Sequence, residues 1–382
     1  MRLYHLVLVL SLLISACSGS PDPLARKESD RSTHNSFARY ASGYRVYDRK
    51  TFTLVEVTDP WQQSKDVIFS YVLAENSGEL PDSLNGIPFI KTPVKRVIVL
   101  STTHVAMIEQ LGSASSIVGL SGSDFVYSPY IRQGIASGKV KEVGYGQGLD
   151  FESLVKLEPD VIFLYGVEGN VMTTVEKLAD LGIPAVFCGE YLENHPLGKA
   201  EWIRFFSLFY NKEAEASHFF DRIDSTYTAL SELVGGIMPR PRVLNGLPWK
   251  DTWYMAGGKS FAAKFIEDAG GDFLWSDNPS GQAVPLDLES VYLRAVDADI
   301  WINPGAAGSL EDIRQLDARL GDLKVLESAQ VFNNNARINS AGGNDYWESG
   351  TVRPDLILAD LIGVFHPGLL SDHRFVYYRQ LK

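Results

Sequence analysis

Two glutamates of this 382-residue chain share one setting, Leu149-Asp150-Phe151-Glu152-Ser153 and Leu286-Asp287-Leu288-Glu289-Ser290. Paired carboxylates support two kinds of chemistry. Flanking one bond at roughly 5 to 10 Å, they would serve glycoside hydrolysis. As isolated anions on separate surfaces, they would meet cations of a partner. Duplication favours the second, because copies of one motif place each glutamate at the same point of its own structural half. In both copies the acids fall where a helix begins, satisfying orphan N–H groups and complementing the helix dipole.

Other chemistry-bearing residues form no comparable pattern. Zinc would need neutral imidazoles within about 2.0 to 2.1 Å of one ion. Of His104, His195, His218 and His366, His218 falls inside a helical stretch and His366-Pro367 ends one. No metal set is assigned, and His104, shortly after a strand, is the best single candidate. Gly144-Tyr145-Gly146-Gln147-Gly148 fails as a dinucleotide loop, since G-x-G-x-x-G would require glycine at Leu149. Gly257-Gly258-Lys259-Ser260 ends like a P-loop, yet its first glycine falls on Trp253. No G-x-S-x-G, H-E-x-x-H or C-x-x-C occurs.

Aromatic residues in Gly- or Pro-rich loops after strands carry the remaining possibility. Ligands of open α/β sheets lie beyond the carboxyl ends of the strands, and aromatic faces there suit a large flat ligand. Tyr127, Tyr145, Tyr165, Trp249, Trp253 and Trp347 are taken as ligand contacts, with Tyr254 and Tyr346 in similar loops. Trp202, Phe205, Phe206 and Phe209 lie at helical spacing and read as packing.

These residues need a scaffold, and from Arg96 onward apolar strands alternate with helical segments. Val97 to Leu100, Ile117 to Leu120, Val161 to Leu164 and Pro184 to Cys188 read as strands, separated by helices such as Asp150 to Leu157 and Val171 to Leu181. That alternation is the βαβ signature of a parallel sheet. A helical stretch without strands follows, from Gly198 to Val234, its second part opening at Asn211 as N-cap and stopping at Gly235-Gly236. About 21 residues of helix reach roughly 30 Å, enough to join two lobes. Alternation then resumes with Val243 to Asn245, Ser260 to Ala269, Leu288 to Val296 and Ile300 to Ile302. Ahead of all this, Tyr44 to Leu73 reads as a β-rich extension.

At the start, Arg2, the apolar run Leu6 to Ile14 and Ile14-Ser15-Ala16-Cys17 resemble a bacterial lipoprotein signal, which leaves a lipidated Cys17. Residues 18–38, rich in Ser, Asp, Arg and Lys, read as a tether, extended to residue 43 as a domain boundary. With Cys17 consumed only Cys188 remains, so no disulfide forms, and Cys188 reads as a buried strand residue. A net charge of −12 excludes nucleic acid and suits a basic surface on a partner protein.

Taken together, Arg96 to Ser101 with a helix ending at Leu111-Gly112, Val143-Gly144, Leu149 to Ile162, Leu181-Gly182-Ile183-Pro184, Ala269-Gly270-Gly271 and Leu286 to Ile302 resemble the class III periplasmic binding proteins. That group delivers vitamin B12, haem and ferric siderophores to ABC importers. The resemblance implies an α/β fold of two Rossmann-like lobes joined by a single long helix, here with an N-terminal β-rich extension. The expected organisation is signal 1–17, tether 18–43, N-terminal lobe 44–210 with extension 44–93, interlobe helix 211–236 and C-terminal lobe 237–382. Glu152 and Glu289 match the positions at which the family pairs with arginines of the permease. The spacing differs: eight residues separate Glu152 from Asp160, ten separate Glu289 from Asp299.

The reading is a non-enzymatic, monomeric, extracytoplasmic lipoprotein that holds a small-molecule metal chelate (ferric siderophore, haem or cobalamin) between its lobes and needs no cofactor. It hands the chelate to the transmembrane subunits of an ABC permease, with little lobe closure. The rival readings are a bare Zn²⁺ or Mn²⁺ receptor and a secreted glycan hydrolase using Glu152 and Glu289.

Overall fold

The computed structural model describes residues 37–78, 80–166 and 171–382. The expected signal, Cys17 and most of the tether lie outside the described residues. In chain order, β1 (Tyr44–Asp48), β2 (Thr53–Thr58), β3 (Ile68–Ala74) and β4 (Phe89–Lys91) form one sheet in which only the β3–β4 pairing is parallel. This is the β-rich extension, and its aromatics seat it on the next sheet. The Tyr71 hydroxyl accepts the Phe187 N–H at 3.0 Å, and the Phe69 and Phe187 rings are 4.5 Å apart.

The N-terminal lobe runs β5 (Val97–Val99), α1 (Thr102–Gln110), β6 (Ile117–Leu120), α2 (Pro129–Ala136), β7 (Lys141–Glu142), α3 (Phe151–Lys156), β8 (Val161–Leu164), α4 (Val171–Asp180) and β9 (Ala185–Phe187). Its sheet is entirely parallel, in the order β7-β6-β5-β8-β9. The central strands β5 and β8 are apolar at every position and wholly buried, as a parallel sheet covered on both faces requires.

Two helices follow, α5 (Pro196–Leu208), almost entirely buried, and the 22-residue α6 (Glu213–Val234). Asn211 is not the N-cap of α6. It adopts φ 54°, a left-handed conformation that Asn tolerates, and turns the chain between the two helices. The first half of α6 serves the N-terminal lobe, where Arg204 Nη2 of α5 meets Asp221 at 3.0 Å. Its second half serves the other lobe, where Tyr227 donates to Asp268 at 2.7 Å.

The last of the expected tether is docked, because buried acids capture its backbone. Glu201 on α5 accepts the N–H groups of Arg39, Tyr40 and Ala41 at 2.7–2.9 Å. Glu193 takes those of Ser42 and Gly43 at 2.8 and 3.0 Å.

The C-terminal lobe runs β10 (Arg242–Asn245), β11 (Thr252–Met255), α7 (Phe261–Asp268), β12 (Asp272–Phe273), β13 (Val284–Asp287), α8 (Leu288–Ala295), β14 (Ile300–Ile302), β15 (Val331–Asn333) and β16 (Arg379–Gln380). Strands β11 and β13 make a separate antiparallel ribbon, and the main sheet has the order β12-β10-β14-β15-β16, antiparallel only at β16. Four strands repeat between the lobes, β6-β5-β8-β9 matching β12-β10-β14-β15. The aspartates opening β8 and β14 act alike. Asp160 accepts the Arg96 N–H at 2.9 Å and Asp299 the Arg242 N–H at 2.8 Å, tying β8 to β5 and β14 to β10. The unequal spacing noted in the sequence lies in the helices, for α3 has six residues and α8 eight.

Besides α6, a loop after β15 grips the N-terminal lobe. The buried carboxylate of Glu348 accepts the N–H groups of Tyr127 and Ser128, both at 2.7 Å, and Asn339 donates to the carbonyls of Asp124 and Val126 at 2.9 and 3.0 Å. Burial pushes the Glu348 carboxyl up to about 7, against the opposing effect of its two N–H donors. The folded protein therefore holds this proton more tightly than the unfolded chain, whose value is near 4.5. Stability falls as pH rises through that window, by about 3 kcal/mol from this group. Urea unfolding at about pH 5 and about pH 8 should show the fall in the native protein and lose most of it in Glu348→Gln.

Candidate functional site

Ligands of such sheets sit beyond the carboxyl ends of the strands. In the N-terminal lobe those ends present Leu100, Ser121, Tyr145, Leu164 and Tyr165, which with Leu149 line a recess of ≈ 390 Å³ including the solvent at its mouth. Tyr165 donates to the Tyr145 hydroxyl at 3.0 Å, and Tyr145 is 59% exposed. The glycines around Tyr145 serve a tight turn. Gly144 has φ +81°, and a Cβ there would stand 2.2 Å from the Gly148 carbonyl oxygen.

On the C-terminal lobe Trp249 and Trp347 are 64% and 55% exposed, each with one local support. The Lys250 ammonium lies 4.5 Å from the Trp249 ring, and Tyr346 packs edge-on to Trp347 at 4.7 Å. Tyr127 is half-buried, with the Arg337 guanidinium 5.2 Å from its ring, so it belongs to the interlobe grip as much as to any ligand surface.

Trp253 is not a ligand contact. It is wholly buried in β11, stacked 5.8 Å from Trp301, and its indole N–H donates to the Asn245 carbonyl at 3.1 Å. Trp253→Phe should cost about 1 to 3 kcal/mol in denaturant unfolding, through the lost volume and an unsatisfied carbonyl, with ligand affinity unchanged. Gly257 and Gly258 are a packing site and not a phosphate loop, since a Cβ on either would come within 2.2 or 2.5 Å of carbonyl oxygens of the segment 275–282.

The duplicated motif forms the same structure twice. Asp150 and Asp287 cap α3 and α8, accepting the N–H groups of Ser153 and Ser290 at 3.1 and 2.8 Å. The serine hydrogen bonds hold both aspartate carboxyls below the usual range. This leaves the glutamates to solvent. Their side chains are 79% and 83% exposed, with Lys156 at 2.6 Å from Glu152 and Arg319 at 3.7 Å from Glu289. Each carboxylate is on the surface of its own lobe, beside a neighbour of that lobe.

Among the histidines, His195 caps α5, His366 follows the helix Pro354–Phe365 and His218 lies within α6. Among the described residues, His104 is the histidine that joins a group of three potential ligands. With Cys188 and Glu190 it forms a buried group whose ligand atoms all lie within 4.8 Å of one another. Burial, then Glu190, pushes the Cys188 thiol up. Burial opposes charge on Glu190, but the nearby His104 and the hydrogen bonds it receives hold its carboxyl below the usual range.

Sequence reasoning also missed Tyr191 and Trp61. Tyr191 packs on Tyr165 at 6.1 Å and donates to the Pro60 carbonyl at 3.2 Å, which brings the extension to the rim of the recess. Trp61 stands where a Cβ on Gly166 would meet it at 2.7 Å.

The family profile described as periplasmic binding protein matches residues 97–330, from β5 to the end of the segment before β15, and so takes in strands of both repeated sheets. The chain belongs to the periplasmic binding protein family. Within it the fold is that of the class III members, solute-binding proteins that work with ABC permeases. An uncharacterized lipoprotein of Methanocaldococcus jannaschii is 29% identical over 299 residues, covering 76% of this chain and 69% of its own length. Among solved structures, an ABC-type Fe³⁺-hydroxamate transport system protein from Saccharomonospora viridis superposes with TM-score 0.53 at 16% identity, covering 72% of this chain and 94% of that one. The vitamin B12 binding protein BtuF of Vibrio cholerae gives 0.50 at 17% identity, with 71% and 96% covered. At such identities the likeness concerns the fold. The extension β1–β4 precedes the matched region.

Proposed function

We propose that this periplasmic binding protein is a lipid-anchored receptor for a metal chelate, a ferric siderophore, haem or cobalamin. It takes the chelate between its lobes and presents it to an ABC permease through Glu152 and Glu289. The observation that carries the ligand class is the set of exposed aromatics on both lobes, Tyr145, backed by the half-buried Tyr165, on one and Trp249 and Trp347 on the other. Exposed aromatic faces are costly in water and suited to a large ligand of low polarity. The surface positions of Glu152 and Glu289 support two contact points on a partner and give no support to a shared hydrolytic centre. The anchor rests on the sequence around Cys17 and on the lipoprotein nature of the Methanocaldococcus relative.

The test is a titration with haem, cobalamin and several ferric siderophores, following tryptophan fluorescence and the ligand's own absorption. One chelate should bind one-to-one, and Trp249→Ala or Trp347→Ala should weaken it by about tenfold each, the worth of one aromatic contact. Saturable response to none of the chelates would end the reading.

A further inference from the structure

We propose that His104, Cys188 and Glu190 form a resident binding site for one divalent ion of the zinc class. The site is distinct from the cleft ligand and does not depend on that ligand's identity. Its residues come from the carboxyl ends of β5 and β9, the two strands that flank β8. His104 lies in the first turn of α1, after β5, while Cys188 and Glu190 follow β9, and Tyr165 at the end of β8 lies over His104 at 6.5 Å. All three are at most 1% exposed.

The hydrogen-bonding of the group is incomplete. Both ring nitrogens of His104 and Oε2 of Glu190 are buried with no hydrogen-bond partner. Nε2 of His104 lies 3.5 Å from Oε1 of Glu190, an ion-pair distance without hydrogen-bond alignment. Buried polar atoms are almost always satisfied, so three orphans at one point need a reason. A bound cation supplies one. Only the other carboxylate oxygen is engaged, by the Thr103 hydroxyl at 2.7 Å, which orients it as outer hydrogen bonds orient metal ligands.

Chemistry selects the ion. Thiolate and imidazole favour zinc over magnesium, calcium or manganese. One thiolate and one carboxylate also neutralise a divalent charge, which an interior this dry demands. Donors around a tetrahedral zinc stand about 3.3 to 3.8 Å apart, so ligand atoms already within 4.8 Å of one another need shifts of about 1 Å. On binding, the Cys188 sulfhydryl proton leaves to solvent and the sulfur becomes the ligand. Three protein donors leave one place of a tetrahedral zinc for water or a further ligand.

The experiment uses the full chain in mild detergent, stripped with a chelator and titrated with Zn²⁺ against a chromophoric chelator, and separately with Co²⁺. One equivalent should bind, and Co²⁺ should give the thiolate-to-metal charge-transfer absorption. Cys188→Ser should abolish that band and, like Glu190→Gln, weaken Zn²⁺ by roughly 100-fold or more, beyond the effect of losing an outer partner. Absence of the thiolate band in the unmodified chain overturns the proposal, whether or not the variants fold. So does Zn²⁺ binding that both folded variants retain, since an acidic surface collects ions without this site. Loss of chelate binding in the cleft, with the Co²⁺ band intact, would sink the reading of the cleft and leave this site standing.

Discussion

Reversing both docking charges, as Glu152→Lys with Glu289→Lys, should abolish ligand uptake while leaving ligand affinity within about twofold of its original value. Neither side chain contributes to the core, at 79% and 83% exposure, and neither lines the recess formed by Tyr145 and Tyr165. Folding and cleft geometry therefore survive. The proposed permease contact would not, because truncating one desolvated interfacial charge costs about 2 to 5 kcal/mol, and reversal adds repulsion. Two such losses would lower permease affinity by at least about 1,000-fold. Uptake into proteoliposomes carrying the permease, with a parallel ligand titration, separates the two effects. Single reversals should give intermediate uptake. Equal loss of ligand affinity and uptake would show that the glutamates belong to the cleft and would restore the hydrolase alternative.

Glu201→Ala should destabilise the fold by about 3 to 5 kcal/mol, the usual cost of removing one partner from a buried charged network. Glu201 has no solvent exposure, and its carboxylate is the acceptor for three consecutive backbone N–H groups, with Arg204 3.7 Å away. Alanine leaves those donors unanswered and a buried guanidinium with one acid fewer. Residues 39–41 should detach first, so limited proteolysis should cut there well before the rest of the chain unfolds. Glu201→Gln, which keeps an acceptor oxygen, should lose less. Thermal unfolding with proteolysis of both variants checks the order.

Much of this architecture was legible because it is local. The capping Asp and Ser of each duplicated motif write their own helix start, and β6, β8 and β14 are runs whose apolar character needs no distant information. The misreadings share a cause. Trp253 was grouped with loop aromatics, although Trp253 in, Tyr254 out and Met255 in is the period-two alternation of a strand, obscured by the turn at Trp249. Residues 39–43 fall inside the expected tether only as its boundary, next to the polar stretch 18–38. What fixes them is Glu201 and Glu193, about 150 residues away, and no local pattern reports such an acceptor. His104, Cys188 and Glu190 were invisible as a set for the same reason. A sheet that interposes β8 between β5 and β9 brings them together, and sequence spacing does not.

The near-equivalence of the two lobes sets a question of polarity for the transport complex. On the docking proposed, a permease of two like halves would meet one anion on each lobe, Glu152 and Glu289. With interchangeable anions, such a receptor would seat in either of two orientations half a turn apart. The two orientations differ mainly through the longer C-terminal copy, eight helical residues in α8 against six in α3. Loading would then be insensitive to which way round the receptor arrives.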